Sequence, residues 1–154
     1  MSAPAGIARI LELTRRTMDT FEQSPEFMES AISVVVGISA EEEAEHHRVG
    51  ITQHWFYEAL LIAESEDQLL PGTDCLQLSQ LLAASQWGVT LMWQKGLIST
   101  DTLKRQAIIK HCVDLMPFCE TETANWLADL LSSTAKVSRR RINKEQSIPA
   151  RRAS

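Results

Sequence analysis

The chain is short of the residues that interrupt helices. Of 154 residues, six are glycine and five are proline. That scarcity argues against a turn-rich β sandwich and suits helices joined by short loops. Three cysteines, Cys75, Cys112 and Cys119, have no metal-site spacing and are too few for a disulfide scaffold. Reduced, buried thiols are the expectation, ahead of a redox sensor. No Gly-rich phosphate loop, G-x-S-x-G or H-E-x-x-H is present, so no enzyme activity and no metal or cofactor is expected. No apolar run is clean enough to span a membrane. The N-terminus lacks a basic segment followed by an apolar one, so a cytoplasmic location is expected.

Charge is unevenly placed. The net is −5, but positions 136 to 154 hold seven Lys/Arg against one Glu. The rest is acidic and a poor surface for nucleic acid. The basic stretch, with Ser138-Arg-Arg-Arg141 and a terminal Ala-Arg-Arg-Ala-Ser, is poor in large apolar groups. It reads as a disordered solubilising tail, with weak attraction to DNA phosphates or anionic lipid as the alternative. The helical domain is assigned to 1–135 and the tail to 136–154.

No segment shows sustained strand alternation, and six helices are legible, which predicts an all-α antiparallel bundle. The first covers Pro4 to Gln23, with Ile7, Ile10, Leu11, Thr14, Met18 and Phe21 at steps of three and four. Ser24-Pro25-Glu26 opens the second, which stops at Gly37 as a C′ glycine. Ser39-Ala-Glu-Glu42 is a capping box for a third helix reaching about Leu69, with Gly50 as a bend or close-packing point. Pro71-Gly-Thr-Asp74 turns into the fourth. Ser99-Thr-Asp101 starts the fifth, which ends before Pro117, and the sixth covers Glu120 to Ala135.

The fourth helix, Leu76 to Gly96, is the most informative stretch. It carries no charge before Lys95 and is apolar on more than one side. Leu78, Leu81, Leu82, Val89, Met92 and Trp93 form one face; Leu76, Ala83, Trp87 and Leu91 form another. An ordinary surface helix has one apolar stripe. The second implies a partner, and another copy of the chain is the simplest one. A monomeric bundle with this helix at its centre is the alternative.

The order of features resembles the C-terminal domain of TetR-type transcriptional regulators. The resemblance rests on ARILELTRRTMDTFEQ leading into SPEFMESA, on WFYEALLIAESEDQLLPGTD, on LSQLLAASQWGVTLMWQKG and on DTLKRQAIIKHCVDLM, and covers residues 5 to 135. It implies an effector-sensing and dimerisation domain that binds a small, largely apolar ligand and couples it to dimer geometry. Family members begin with a helix-turn-helix, and nothing of that kind precedes the first helix. DNA contact is therefore carried over to no residue, and DNA would be reached through a helix-turn-helix in a full-length protein. The family's last long helices pair across a two-fold axis. The matching interface here is Leu78, Leu82, Val89 and Trp93, then Ile108 and Leu115, then Leu127 and Leu131.

The resemblance also implies an inducer pocket among the first four helices. Apolar and aromatic groups with a few polar ones line such sites. Trp55, Phe56, Ala59 and Leu60 in the third helix, with Trp87 and Met92 in the fourth, are the candidate lining, and His54 is the polar candidate. Plain core packing is the alternative for each. Glu43, His47, His54 and Glu58 share one helical face, but a solvated face explains them without a metal. A protein–protein interaction module without a pocket is the competing function.

Overall fold

The computed structural model describes residues 5–37 and 48–146. Six α-helices follow in order: α1 Ala5–Gln23, α2 Pro25–Gly37, α3 Arg48–Ser65, α4 Cys75–Gln94, α5 Thr100–Leu115 and α6 Thr121–Gln146. A single 3-10 turn, Met116–Phe118, sits between α5 and α6. The fold is an all-α helical bundle. Among the described residues no helix is long and apolar enough to cross a membrane.

The caps explain most boundaries. Pro25 takes the first position of α2, where a missing N–H costs nothing. Asp74 accepts the Gln77 N–H at the start of α4 at 3.0 Å. Ser99 accepts the Thr102 N–H at the start of α5. Helix α4 ends in a Schellman arrangement: Leu97 N–H donates to Met92 O, Gly96 N–H to Trp93 O, and Gly96 turns left-handed at φ 70°. The same motif closes α3, but with aspartate at the left-handed position. Gln68 N–H donates to Ala63 O, Asp67 N–H to Glu64 O, and Asp67 has φ 56°.

Three boundaries differ from expectation. Helix α3 ends at Ser65 rather than near Leu69, because Gln68 and Leu69 are taken by tertiary bonds. Gln68 Oε1 accepts the Ile7 N–H at 3.0 Å, satisfying a first-turn donor of α1. Leu69 pairs with Cys119 in an isolated antiparallel bridge. Gly37 is the last residue of α2 and not a left-handed cap. Helix α6 continues through the basic stretch to Gln146, so the disorder expected from 136 gives way to helix that far. Lys, Arg, Glu and Gln are good helix formers, and extending a nucleated helix costs little. The Ser39 capping box and positions 147–154 lie outside the described residues.

Gly6 is a close-packing glycine. A Cβ there would sit 2.5 Å from the backbone N of Ala63 and 2.6 Å from its Cα. Absence of a side chain lets α1 and α3 cross nearly backbone to backbone.

The core has two parts stacked along the bundle. One is built from Ile7, Ile10 and Leu11 of α1, Phe56, Leu60 and Ala63 of α3, Leu78 and Leu82 of α4, Leu115 and Leu127. The other holds Met18 and Phe21 of α1, Ile32, Val89 and Trp93 of α4, Leu103 and Ala107. Between them, in sequence phase, lie Thr14, Gln86 and His111, all buried.

This arrangement corrects the expected dimer face. Leu78, Leu82, Val89 and Trp93 are buried within the chain, as are Leu115 and Leu127, while Ile108 and Leu131 pack half-buried against the first cluster. Helix α4 lies between α3 and α5, so the chain itself covers two of its sides. The side left open carries Leu81, Ala84, Gly88 and Met92, all exposed.

Candidate functional site

A partly open apolar cavity of about 170 Å³ lies among α1, α2, α3 and α4. Thr17 and Phe21 come from α1; Met28, Ala31 and Ile32 from α2; Thr52 from α3; Gln86, Trp87 and Thr90 from α4. The phase of each helix explains the set. Residues 86, 87 and 90 share one edge of α4, and 17 and 21 are one turn apart on α1, as are 28 and 32 on α2. Among the described residues, none that lines it is charged.

Gln86 joins this cavity to the buried polar layer. Gln86 Oε1 accepts from Thr14 Oγ1 at 3.3 Å and lies 3.2 Å from His111 Nε2. A carbonyl oxygen only accepts, so the imidazole carries its hydrogen on Nε2. His111 Nδ1 then has a bare lone pair and no partner among the described residues. The reverse amide orientation would strand a buried N–H at Nδ1, and orphaned donors are rarer than under-used acceptors. Burial pushes the His111 pKa from 6.5 down to about 4, with Asp114 opposing and Lys110 adding to the shift. The imidazole is therefore neutral near pH 7. The Phe56 ring meets it edge-on, with centroids 5.2 Å apart.

Helix α1 carries ion pairs to α5 and within itself. Lys104 of α5 bridges Asp19 at 2.8 Å and Glu22 at 2.6 Å. The hydrogen bond to Asp19 is the main reason the Lys104 pKa is raised. On the outer face, hydrogen bonds from Arg15 and then Arg16 hold the Glu12 carboxyl down to about 2. These pairs are solvent-exposed and add little stability.

The expected lining residues separate. Trp87 lines the cavity. Phe56, Ala59 and Leu60 are closed core, with no open space beside them, because α1 packs directly over α3 at Gly6. Trp55 is 50% exposed and lines a different cleft, of about 190 Å³, with Arg9, Leu13, Glu58 and Ile62. His54 is exposed, and Met92 lies on the outward side of α4 at 41% exposure. One turn of helix decides these outcomes: Phe56 points in while its neighbours point out.

Sequence reasoning missed Gln86, Thr17, Thr52 and the α2 wall. One signal was present. Gln86 falls on the buried stripe between Leu82 and Val89, where a polar residue needs a reason. Among the described residues no group of three or more His, Cys, Asp or Glu could hold a metal ion; Glu43 and His47 lie outside them. A roomier trough of about 580 Å³ beside Glu66, Asp67, Glu120 and Glu122 is a surface feature between the α3–α4 loop and the start of α6. All three cysteines are buried, and burial raises Cys112 to about 11 and Cys119 to about 12.

Comparison with known protein families, characterised proteins and solved structures finds no match to this chain.

Proposed function

We propose that this domain senses a small, neutral, largely apolar effector in the cavity among α1–α4, in the manner of the ligand-binding domains of TetR-type regulators. The observation that carries the reading is the cavity itself, apolar, uncharged and walled by four helices. Its wall includes Thr17 and Phe21 of α1, the helix matching the family's linker to the DNA-reading head. An occupant that prefers one position of α1 shifts the population toward it, and only differential affinity for the two positions can do so. The lever is short: the cavity wall and the Lys104 clamp act on the same half of α1.

In this reading the chain works as a homodimer, and its self-association surface is the open side of α4. Leu81, Ala84, Gly88 and Met92 recur there at steps of three and four. Small residues at the centre let two helices approach, and flanking Leu and Met supply apolar area. The competing function, an interaction module without a ligand, would use the same surface for a different protein.

Thermal shift with a panel of neutral fragments the size of a substituted benzene, read alongside sedimentation velocity, tests both parts. Fragments are expected to raise the melting temperature, and the double variant Leu81→Glu/Met92→Glu is expected to sediment as monomer without losing its fold. A wild-type monomer at high micromolar concentration removes the dimer. A chain indifferent to every fragment removes the sensor.

A further inference from the structure

The chemistry of the cavity wall defines its occupant more narrowly than size and apolarity do, and this deepening rests on the sensor reading above. Three observations converge. First, with no charge among the described lining residues, an ionised ligand would lose hydration there without gaining a counter-charge from them. Second, two adjacent residues of the α4 wall hold N–H donors that no described acceptor takes up. Gln86 lines the cavity with its Oε1 engaged by Thr14 and His111, which leaves its Nε2 as the end free to face the open space. Trp87, beside it in the same wall, holds an indole Nε1–H that is shielded from water and has no partner among the described residues. The Thr17 hydroxyl, in contrast, already donates to Leu13 O at 2.9 Å. Third, a dry cavity of about 150 Å³ holds a benzene ring, so about 170 Å³ admits a ring with a small substituent.

We infer that the cavity binds a neutral, compact, mainly apolar molecule carrying one hydrogen-bond acceptor of carbonyl type, such as a small ketone, ester or lactone. The Gln86 amide N–H is its first donor, and the Trp87 indole N–H its second after a small turn of the ring. Gln86 is the pivotal residue because its two ends serve different functions. The carbonyl end is fixed by the buried layer that joins α1, α4 and α5; the amino end reads the ligand. A donor fixed in this way is pre-organised, so an acceptor gains the bond without ordering the side chain. An occupant without an acceptor would offer neither N–H group a partner.

The test compares three probes on the ¹⁵N-labelled full chain by heteronuclear NMR titration: acetophenone, its hydrocarbon counterpart isopropylbenzene, and benzoate. Both neutral probes are expected to move the backbone amides of Thr17, Ala31, Thr52 and Thr90. Acetophenone is expected to bind about three- to tenfold more tightly, the worth of one net hydrogen bond. It should also shift the Gln86 side-chain N–H pair, with a smaller response at the Trp87 indole N–H. Benzoate should leave the cavity amides in place. If isopropylbenzene binds as tightly as acetophenone, or if the cavity amides move while the Gln86 pair does not, the acceptor assignment is overturned and the cavity reading stands. Tight benzoate binding at these amides also overturns the assignment. If neither neutral probe moves the cavity amides, the sensor reading falls and takes the inference with it.

Discussion

Replacing Gly6 with alanine isolates the crossing of α1 over α3, because two opposing effects set its sign. Alanine is favoured over glycine in a helix by up to about 1 kcal/mol, so in open space the change would stabilise. At Gly6 the added methyl would lie 2.5 Å and 2.6 Å from backbone atoms of Ala63 and 2.8 Å from its Cβ. Optimal carbon contacts are about 3.5–4.0 Å, so the helices must part by about 1 Å. Backbone atoms cannot swing aside as a side-chain tip can. Fraying the first turn of α1 would break the bond from Ile7 N–H to Gln68 and expose Ile7. Overpacking of this kind costs about 1–3 kcal/mol. The net expectation is a loss of about 1–2 kcal/mol, which at roughly 2–4 °C per kcal/mol for a chain of this size lowers Tm by about 2–8 °C. Gly88→Ala is the internal control. A Cβ at Gly88 meets nothing within 4 Å, so that variant is expected to gain up to about 1 kcal/mol. Thermal and urea melts followed by circular dichroism measure both, at two protein concentrations about a hundredfold apart to keep self-association out of the comparison. Equal or greater stability for Gly6→Ala would refute the close crossing.

Other outcomes follow from the polar layer, the core and the thiols. His111 stays neutral when folded, with its pKa lowered from 6.5 to about 4. The unfolded chain therefore binds the extra proton between those values. Its stabilising effect is complete above pH 6.5 and is lost as pH falls toward 4, by about 3 kcal/mol in all. Urea melts across that window should show a shallower acid limb for His111→Gln than for wild type; matching limbs would contradict the assignment. Leu82→Ala should cost about 2–5 kcal/mol, independent of protein concentration, since Leu82 is core in one chain. A loss that vanishes at high concentration would return it to an interface. Cys112 and Cys119, buried with raised pKa values, should resist thiol reagents in the native state and react on unfolding; fast native labelling would refute that burial.

Much of the fold was legible. The first and fourth helices showed themselves through apolar steps of three and four, and their ends through Ser24-Pro25, Asp74, Gly96 and Ser99, since caps act within a few residues of the chain. The end of α3 was not, because a long-range bond from the Ile7 N–H holds Gln68 and a backbone bridge to the distant Cys119 holds Leu69. Gly6 carried no mark in the sequence; a glycine in a first turn looks ordinary until Ala63 is placed against it. Of the residues expected to line a pocket, Trp87 is the one that lines the proposed site. A helical wheel orders side chains around an axis but does not say where the neighbours stand. Trp55 and Met92 therefore looked as suitable for a wall as Gln86 and Thr90, although the bundle turns the first pair outward.

By itself the sequence determined the helical class, the six helices of the described residues and a fourth helix too apolar for one covered face. Those properties follow from local steric preference, capping and periodicity, which operate over one or two turns. Which apolar side is core, which is left open, and which four helices fail to close and leave a cavity were decided by the tertiary structure. They depend on how closely helices approach, and that distance is set by contacts between residues far apart in the chain, Gly6 against Ala63 and Thr14 with Gln86.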